Sequence, residues 1–221
     1  MSIASQLKSV KAELSKSVTL VAVSKTKPNE SVMEAYNAGQ RIFGENRIQE
    51  LVSKSEELPK DIEWHMIGHL QSKKVKQIAP FISMIHSVDS AKLLGVINDQ
   101  AEKNHRIIEV LLQFHVAQEE AKFGLTLPVA AVILNSVDYS AMSNIRVRGV
   151  MGMATFTDDT GLVRNEFKLI KEIFNQLKTD HFAKEPSFNQ ISMGMSGDYQ
   201  IAIAEGSTMI RVGSTIFGER L

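Results

Sequence analysis

Cysteine is absent from the 221-residue chain. That absence excludes a disulfide framework, a thiolate metal site and a cysteine nucleophile, and it fits a reducing compartment. Net charge is absent too, because 25 Lys plus Arg stand against 25 Asp plus Glu. A partner held by bulk positive charge, nucleic acid above all, is therefore not expected. No run approaches the roughly 18 apolar residues of a membrane span. The N-terminal stretch MSIASQLKSVKAELSKS has no apolar signal core. Cytoplasmic residence without membrane contact is the expectation. The five prolines are scattered, and no Pro/Gly/Ser linker or repeat divides the chain. One domain over residues 1–221 is the default, and a monomer is expected.

The remainder is ordinary globular material, 43% hydrophobic and 23% charged. Ile3, Leu7, Val10 and Leu14 fall three to four apart and predict a surface helix packed on one side. After it, short apolar runs alternate with helical patterns. Strands are expected at 19–24, 41–45, 63–68, 83–89, 106–116, 144–153, 188–195 and 207–214. Helices are expected at 29–38, from the second strand through Glu57, at 70–79, 90–104, 127–139 and 161–178, and briefly from 197. In the 161–178 helix, Leu162, Phe167, Ile170, Phe174 and Leu177 share a face.

Strand–helix alternation implies a parallel sheet with right-handed crossovers. About eight units of roughly 28 residues point to a single (β/α)8 TIM barrel with an extra N-terminal helix. A doubly wound open sheet is the competitor. Its G-x-G-x-x-G turn is missing, since strand one ends in SKTKPNE, and no Walker A motif occurs.

In such a barrel the functional groups sit at the C-terminal ends of the strands. Those ends carry Lys25 and Lys27, Glu45 and Asn46, Gly68 and His69, Ser87 to Asp89, Met151 to Met153, Ser192 to Ser196, and Arg211 to Thr215. Side chains alternate along a strand, so Val21, Val23 and Lys25 point the same way. Two apolar residues facing the interior would carry Lys25 to the inner rim. An amine drawn out of water there loses part of its preference for the charged form, which is what a Schiff-base lysine needs. A lysine snorkelling from a strand end is the plainer reading, and Lys27 shares the parity, so spacing alone leaves both open.

The loops SMGMSGD (192–198) and RVGST (211–215) follow the last two strands. Glycines admit backbone N–H groups close to an anion, and hydroxyls add donors. These two loops are the usual phosphate site of the fold. Met153 and Met195 would pave the ring of a cofactor. The lysines of 73–76 read as a solvated helix face. His65 and His69, spaced i, i+4 without an intervening glutamate, do not read as a metal pair. No Ser-His-Asp order is defensible, and no metal is expected.

At these residues the chain resembles a known family. VAVSKTKP (21–28), FGEN (43–46), EWHMIGHLQSKK (63–74), HSVDS (86–90), Lys122-x-Gly124 and SMGMSGDYQIAIAEGSTMIRVGSTIFGER (192–220) are similar to the pyridoxal phosphate homeostasis proteins. That family resembles the N-terminal barrel of alanine racemase without its second domain. The resemblance implies pyridoxal 5′-phosphate held as an imine on Lys25, and ring-nitrogen contact from Arg211. It implies phosphate contacts from Ser192, Gly194, Met195, Ser196, Gly213, Ser214 and Thr215, with Asn46 and Met153 also at the cofactor. His115 and Gln118 depart from the family's usual asparagine and glycine.

The implied role is cofactor binding and delivery, with apo forms of pyridoxal-phosphate enzymes as recipients and with effects on amino-acid and keto-acid balance. No catalytic residue is assigned. The alternatives are a racemase or decarboxylase using the same cofactor, or a cofactor-free Schiff-base aldolase. Tyr36, Tyr139 and Tyr199 fall in helices, so none is an obvious second base for racemisation.

Overall fold

A computed structural model describes residues 2–117 and 123–219. Gln118 and Lys122, singled out above, lie outside the described residues. The elements run α1 (Ile3–Ala12), β1 (Thr19–Val23), α2 (Asn29–Asn37), β2 (Ile42–Glu45), α3 (Ile48–Glu57), β3 (Glu63–Met66), α4 (Val75–Ile78), β4 (Met84–Val88), α5 (Ala91–Lys103), β5 (Ile108–Gln113), α6 (Leu127–Leu134), α7 (Val137–Ser140), β6 (Ile145–Met151), α8 (Thr160–Asp180), β7 (Gln190–Ser192), α9 (Tyr199–Ala204), β8 (Met209–Val212) and α10 (Ser214–Phe217). The strands close in chain order into a parallel eight-stranded barrel, with β8 pairing back onto β1.

Strand parity explains the interior. Val21, Met84, Leu111, Met151 and Met209 form an apolar plug, with Ile42 packed on it. Two residues further along β4, β5 and β8 come His86, Gln113 and Arg211, and with Val23 of β1 they make a mostly polar interior. The opposite parity faces the helices, where Ala22, Phe43, Ile85, Val110, Leu112 and Ile210 belong to the outer core. Each such fully buried aliphatic or aromatic side chain stabilises by roughly 1.5–3 kcal/mol.

The helices deviate from expectation in three places. The 127–139 helix is broken: α6 ends at Leu134, and Ser136 starts α7 by accepting the Tyr139 N–H on its hydroxyl. Serine favours this cap because its side chain replaces a missing backbone acceptor. Residues 70–79 begin instead with a 3₁₀ turn at Ser72–Lys74 before α4. In α8 the inner face is Val163, Glu166, Phe167, Ile170, Ile173 and Leu177, with Leu162 only half-buried. The N-terminal helix is capped by the Ser2 hydroxyl, buries Leu7 and Val10, and packs on α2 and α10.

Candidate functional site

The C-terminal mouth of the barrel opens into a cavity of about 820 Å³. Of the residues anticipated from sequence, Lys25, Asn46, Met153, Met195, Ser196, Arg211, Gly213, Ser214 and Thr215 line it. Ser192 and Gly194 do not; they lie behind the wall. Lys27 lines the cavity as well, but its Nζ donates to the Glu219 carbonyl at 2.8 Å.

The register of β1 against β8 brings the two ends of the site together. Val21 pairs with Arg211 and Ala22 with Val212. Gly213 follows beside Val23, so close that a Cβ on it would stand 3.1 Å from the Val23 carbonyl oxygen. Lys25 is two residues beyond Val23 on the same parity. The lysine and the VGST loop are thus neighbours on adjoining strand ends.

The β7 and β8 loops present backbone amides and hydroxyls. The Gly213 N–H donates to Ser196 Oγ at 3.1 Å, and the Met195 N–H donates to Asp198 Oδ1 at 2.5 Å. Burial pushes the Asp198 carboxyl above its usual range. Gly194 sits at φ +95, where a Cβ would meet the Ala202 Cβ at 2.6 Å, and its carbonyl accepts from the Arg211 N–H. Its role is to turn the chain toward the mouth.

Arg211 is buried at the cavity floor. Its Nη1 donates to Ser192 Oγ at 2.6 Å and its Nη2 to the Gly152 carbonyl at 3.0 Å. Burial brings the guanidinium down to about 10, with Asp198 pulling the other way, so it stays charged at neutral pH. Ser192 Oγ also lies 3.1 Å from His86 Nδ1, and His86 Nε2 lies 2.9 Å from His65 Nδ1. Arginine can only donate, so Ser192 Oγ accepts from Arg211. The hydroxyl keeps a second lone pair and its own O–H, so it meets His86 Nδ1 in either tautomer of that ring. Between the two imidazoles, one of His86 Nε2 and His65 Nδ1 carries the shared proton. Both imidazoles are buried and neutral: burial holds His65 down to about 3 and His86 well below its usual value, the latter helped by His65 and Arg211. The result is a buried, hydrogen-bonded mount for one cation.

Sequence reasoning missed several of these residues. His86 shares parity with Met84 inside β4, and that alternation was the available signal. Gln113 occupies the corresponding place on β5. Asp198, Phe123 and the 155–158 segment also line the mouth. Phe123 stacks on His69 with ring centroids 3.9 Å apart, and His69 Nδ1 lies 3.5 Å from Asp89. His65 and His69 therefore point to different places. Among the described residues no group of His, Cys, Asp and Glu could hold a metal ion. No tyrosine among them lines the cavity; Tyr36 and Tyr199 donate to Asp61 and Glu13 instead.

A parallel barrel with a lysine, a buried arginine and two glycine loops at its mouth belongs to a defined class. The family of the alanine racemase N-terminal domain matches residues 1–221, and the chain belongs to that family. Within it the chain belongs to the pyridoxal phosphate homeostasis proteins. It is 40% identical to the protein of that name from Vibrio alginolyticus over 209 residues, covering 92% of this chain and 87% of the relative. The human protein of that name is 38% identical, over 91% of this chain and 76% of its own length. The structure resembles PipY of Synechococcus elongatus solved with PLP bound, with TM-score 0.88 and 34% identity, covering 98% of this chain and all of that one.

Proposed function

We propose that this protein binds pyridoxal 5′-phosphate through Lys25 and serves to hold and deliver that cofactor. It would do so as a single-domain monomer in the cytoplasm, with apo-enzymes that need the cofactor as recipients. The observation that carries this reading is the placement of Lys25 beside Gly213 at the mouth of a cavity that Arg211 floors. An aldehyde with a phosphate tail joins those points.

The residues present fit such a group. The cavity exceeds its needs, and a Cβ at Gly213 would intrude on the wall against Val23. Bound pyridoxal phosphate supplies an aldehyde for an amine and an electron-withdrawing ring. The Lys25 amine is the attachment point. Amides and hydroxyls of Ser196, Ser214 and Thr215 hold the phosphate, in a cradle that Met195 and Gly213 shape. Asn46 and Met153 flank the ring. Ser192 acts through Arg211, and Gly194 through the turn it permits.

Arg211 argues for storage over turnover. Placed at the ring nitrogen, a charged guanidinium donates a hydrogen bond but gives up no proton near neutral pH. An unprotonated ring is a weak electron sink for carbanion chemistry. With no tyrosine lining the cavity among the described residues, a second base for racemisation has no candidate of that type. The decisive experiment loads the protein, then measures cofactor transfer to an apo-enzyme and α-proton exchange of common amino acids. Transfer with slow exchange is expected. Turnover on the order of 1–10³ per second would identify an enzyme instead.

A further inference from the structure

The lysine at the mouth stands on an unusual turn. Thr26, the residue after Lys25, has φ +65. A β-branched residue in the left-handed region is a genuine outlier, and something must hold it there. The Ser24 carbonyl accepts from the Lys27 N–H at 3.1 Å, closing a four-residue turn around Lys25 and Thr26. A positive φ at the third position of such a turn is ordinarily taken by glycine.

What holds the turn comes from the next β/α unit. Glu45 is the last residue of β2 and faces outward, on the parity of Phe43. Glu50 and Lys54 lie one turn apart on α3, on a common face. Lys54 is buried, and its Nζ donates to Glu45 Oε1 at 2.7 Å, to Glu50 Oε1 at 2.8 Å and to the Ser24 carbonyl at 2.8 Å. That uses all three of its protons. Ser24 Oγ donates to Glu45 Oε1 at 2.6 Å. Glu50 Oε1 accepts the Thr26 N–H at 2.5 Å. Both neighbours of Lys25 are therefore anchored, Ser24 through its carbonyl and hydroxyl and Thr26 through its amide.

We infer that Lys54, with Glu45 and Glu50, is a positioning device that fixes the backbone on both sides of Lys25 and so aims its amine into the cavity. Lys54 is a positioning residue and does not line the cavity. The inference rests on the reading of Lys25 as the attachment point. A buried ion pair need not add stability over an apolar pair of the same shape, so its retention here has a use in geometry.

Two variants test this. Glu50→Ala removes the acceptor for the Thr26 N–H from a partly exposed position and leaves the buried pair intact. Lys54→Met combined with Glu45→Gln removes the pair without stranding a charge. Amide hydrogen exchange on cofactor-free protein reads the turn directly. Exchange at Thr26 should rise about tenfold or more, while core strands keep wild-type protection. Affinity for pyridoxine 5′-phosphate, which carries an alcohol in place of the aldehyde, should stay within about twofold. The rate of covalent attachment of pyridoxal 5′-phosphate, trapped by borohydride, should fall about tenfold or more, because misplacement by an ångström is that costly.

Wild-type attachment rates in both variants would overturn the inference. So would affinity and rate falling together, which marks general structural support. Were wild-type protein to attach nothing at Lys25, the cofactor reading would fail on its own, and the exchange at Thr26 would still report on the turn.

Discussion

At the ends of β7 and β8 the barrel mouth is made of backbone; at the ends of β1 and β2 it is held by side chains. The first side offers amides and hydroxyls of Ser196, Ser214 and Thr215, with Met195 and Gly213 in its wall, and depends on glycines that let the chain approach its neighbours. The second side aims one amine by means of Ser24, Glu45, Glu50 and Lys54, contributed by β1, β2 and α3. An anion is held by many weak donors on a shaped surface, so loss of one is tolerated. A reactive amine needs one direction, so its support is a side-chain network in which each part counts.

The largest effect expected from this contrast is on stability. Glu45→Ala leaves the buried Lys54 with Glu50 as its one carboxylate, and breaking a buried pair from one side costs up to about 3–5 kcal/mol. Denaturant unfolding measures it, and a loss below about 1 kcal/mol would mean the pair is water-screened in solution. On the backbone side the penalty should fall on binding instead. Gly213→Leu should weaken phosphate-ester affinity about a hundredfold, since it disturbs several charge-assisted bonds of roughly 1.5–3 kcal/mol each. Titration with pyridoxine 5′-phosphate checks this.

The third effect separates the interior from both sides. His65 is held down to about 3 and His86 is held well below its usual value, so the unfolded chain binds protons that the folded chain refuses. Stability contributed by their neutral forms is complete above about 6.5 and is lost as pH falls toward the folded values. The slope is about 1.4 kcal/mol per pH unit for each histidine within that window. Glu45 opposes this, because burial raises its carboxyl and the folded protein takes up that proton first. Unfolding between pH 7 and 5 should be steeper in wild type than in His65→Phe. The smallest effect is Ser214→Ala, one hydroxyl among several donors, with a loss of about tenfold. A Ser214 effect equal to that of Gly213→Leu would erase the distinction between the two sides.

Legibility in the sequence followed the same division. Elements that depend on local pattern could be read: the alternation that closes the barrel, the parity of Val21, Val23 and Lys25, and the two glycine loops. The choice between Lys25 and Lys27 rested on resemblance, because parity is blind to a difference of two residues. The side-chain network was not legible. Its members, Ser24, Glu45, Glu50 and Lys54, meet only after β2 and α3 have packed, and a lysine on a polar helix face gives no sign of burial. The histidine mount was hidden for the same reason. His65, His86 and Ser192 come from three strands, and only closure of the barrel sets them in line.

The proposed role of Lys25 is to be the amine that takes the cofactor. Incubating the protein with pyridoxal 5′-phosphate, reducing with borohydride and mapping the peptides tests it most directly. A visible absorbance that reduction bleaches is expected, with a covalent label on the peptide containing Ser24–Lys25–Thr26, located on Lys25. A label confined to Lys27 or Lys122, or no chromophore at all, would contradict it.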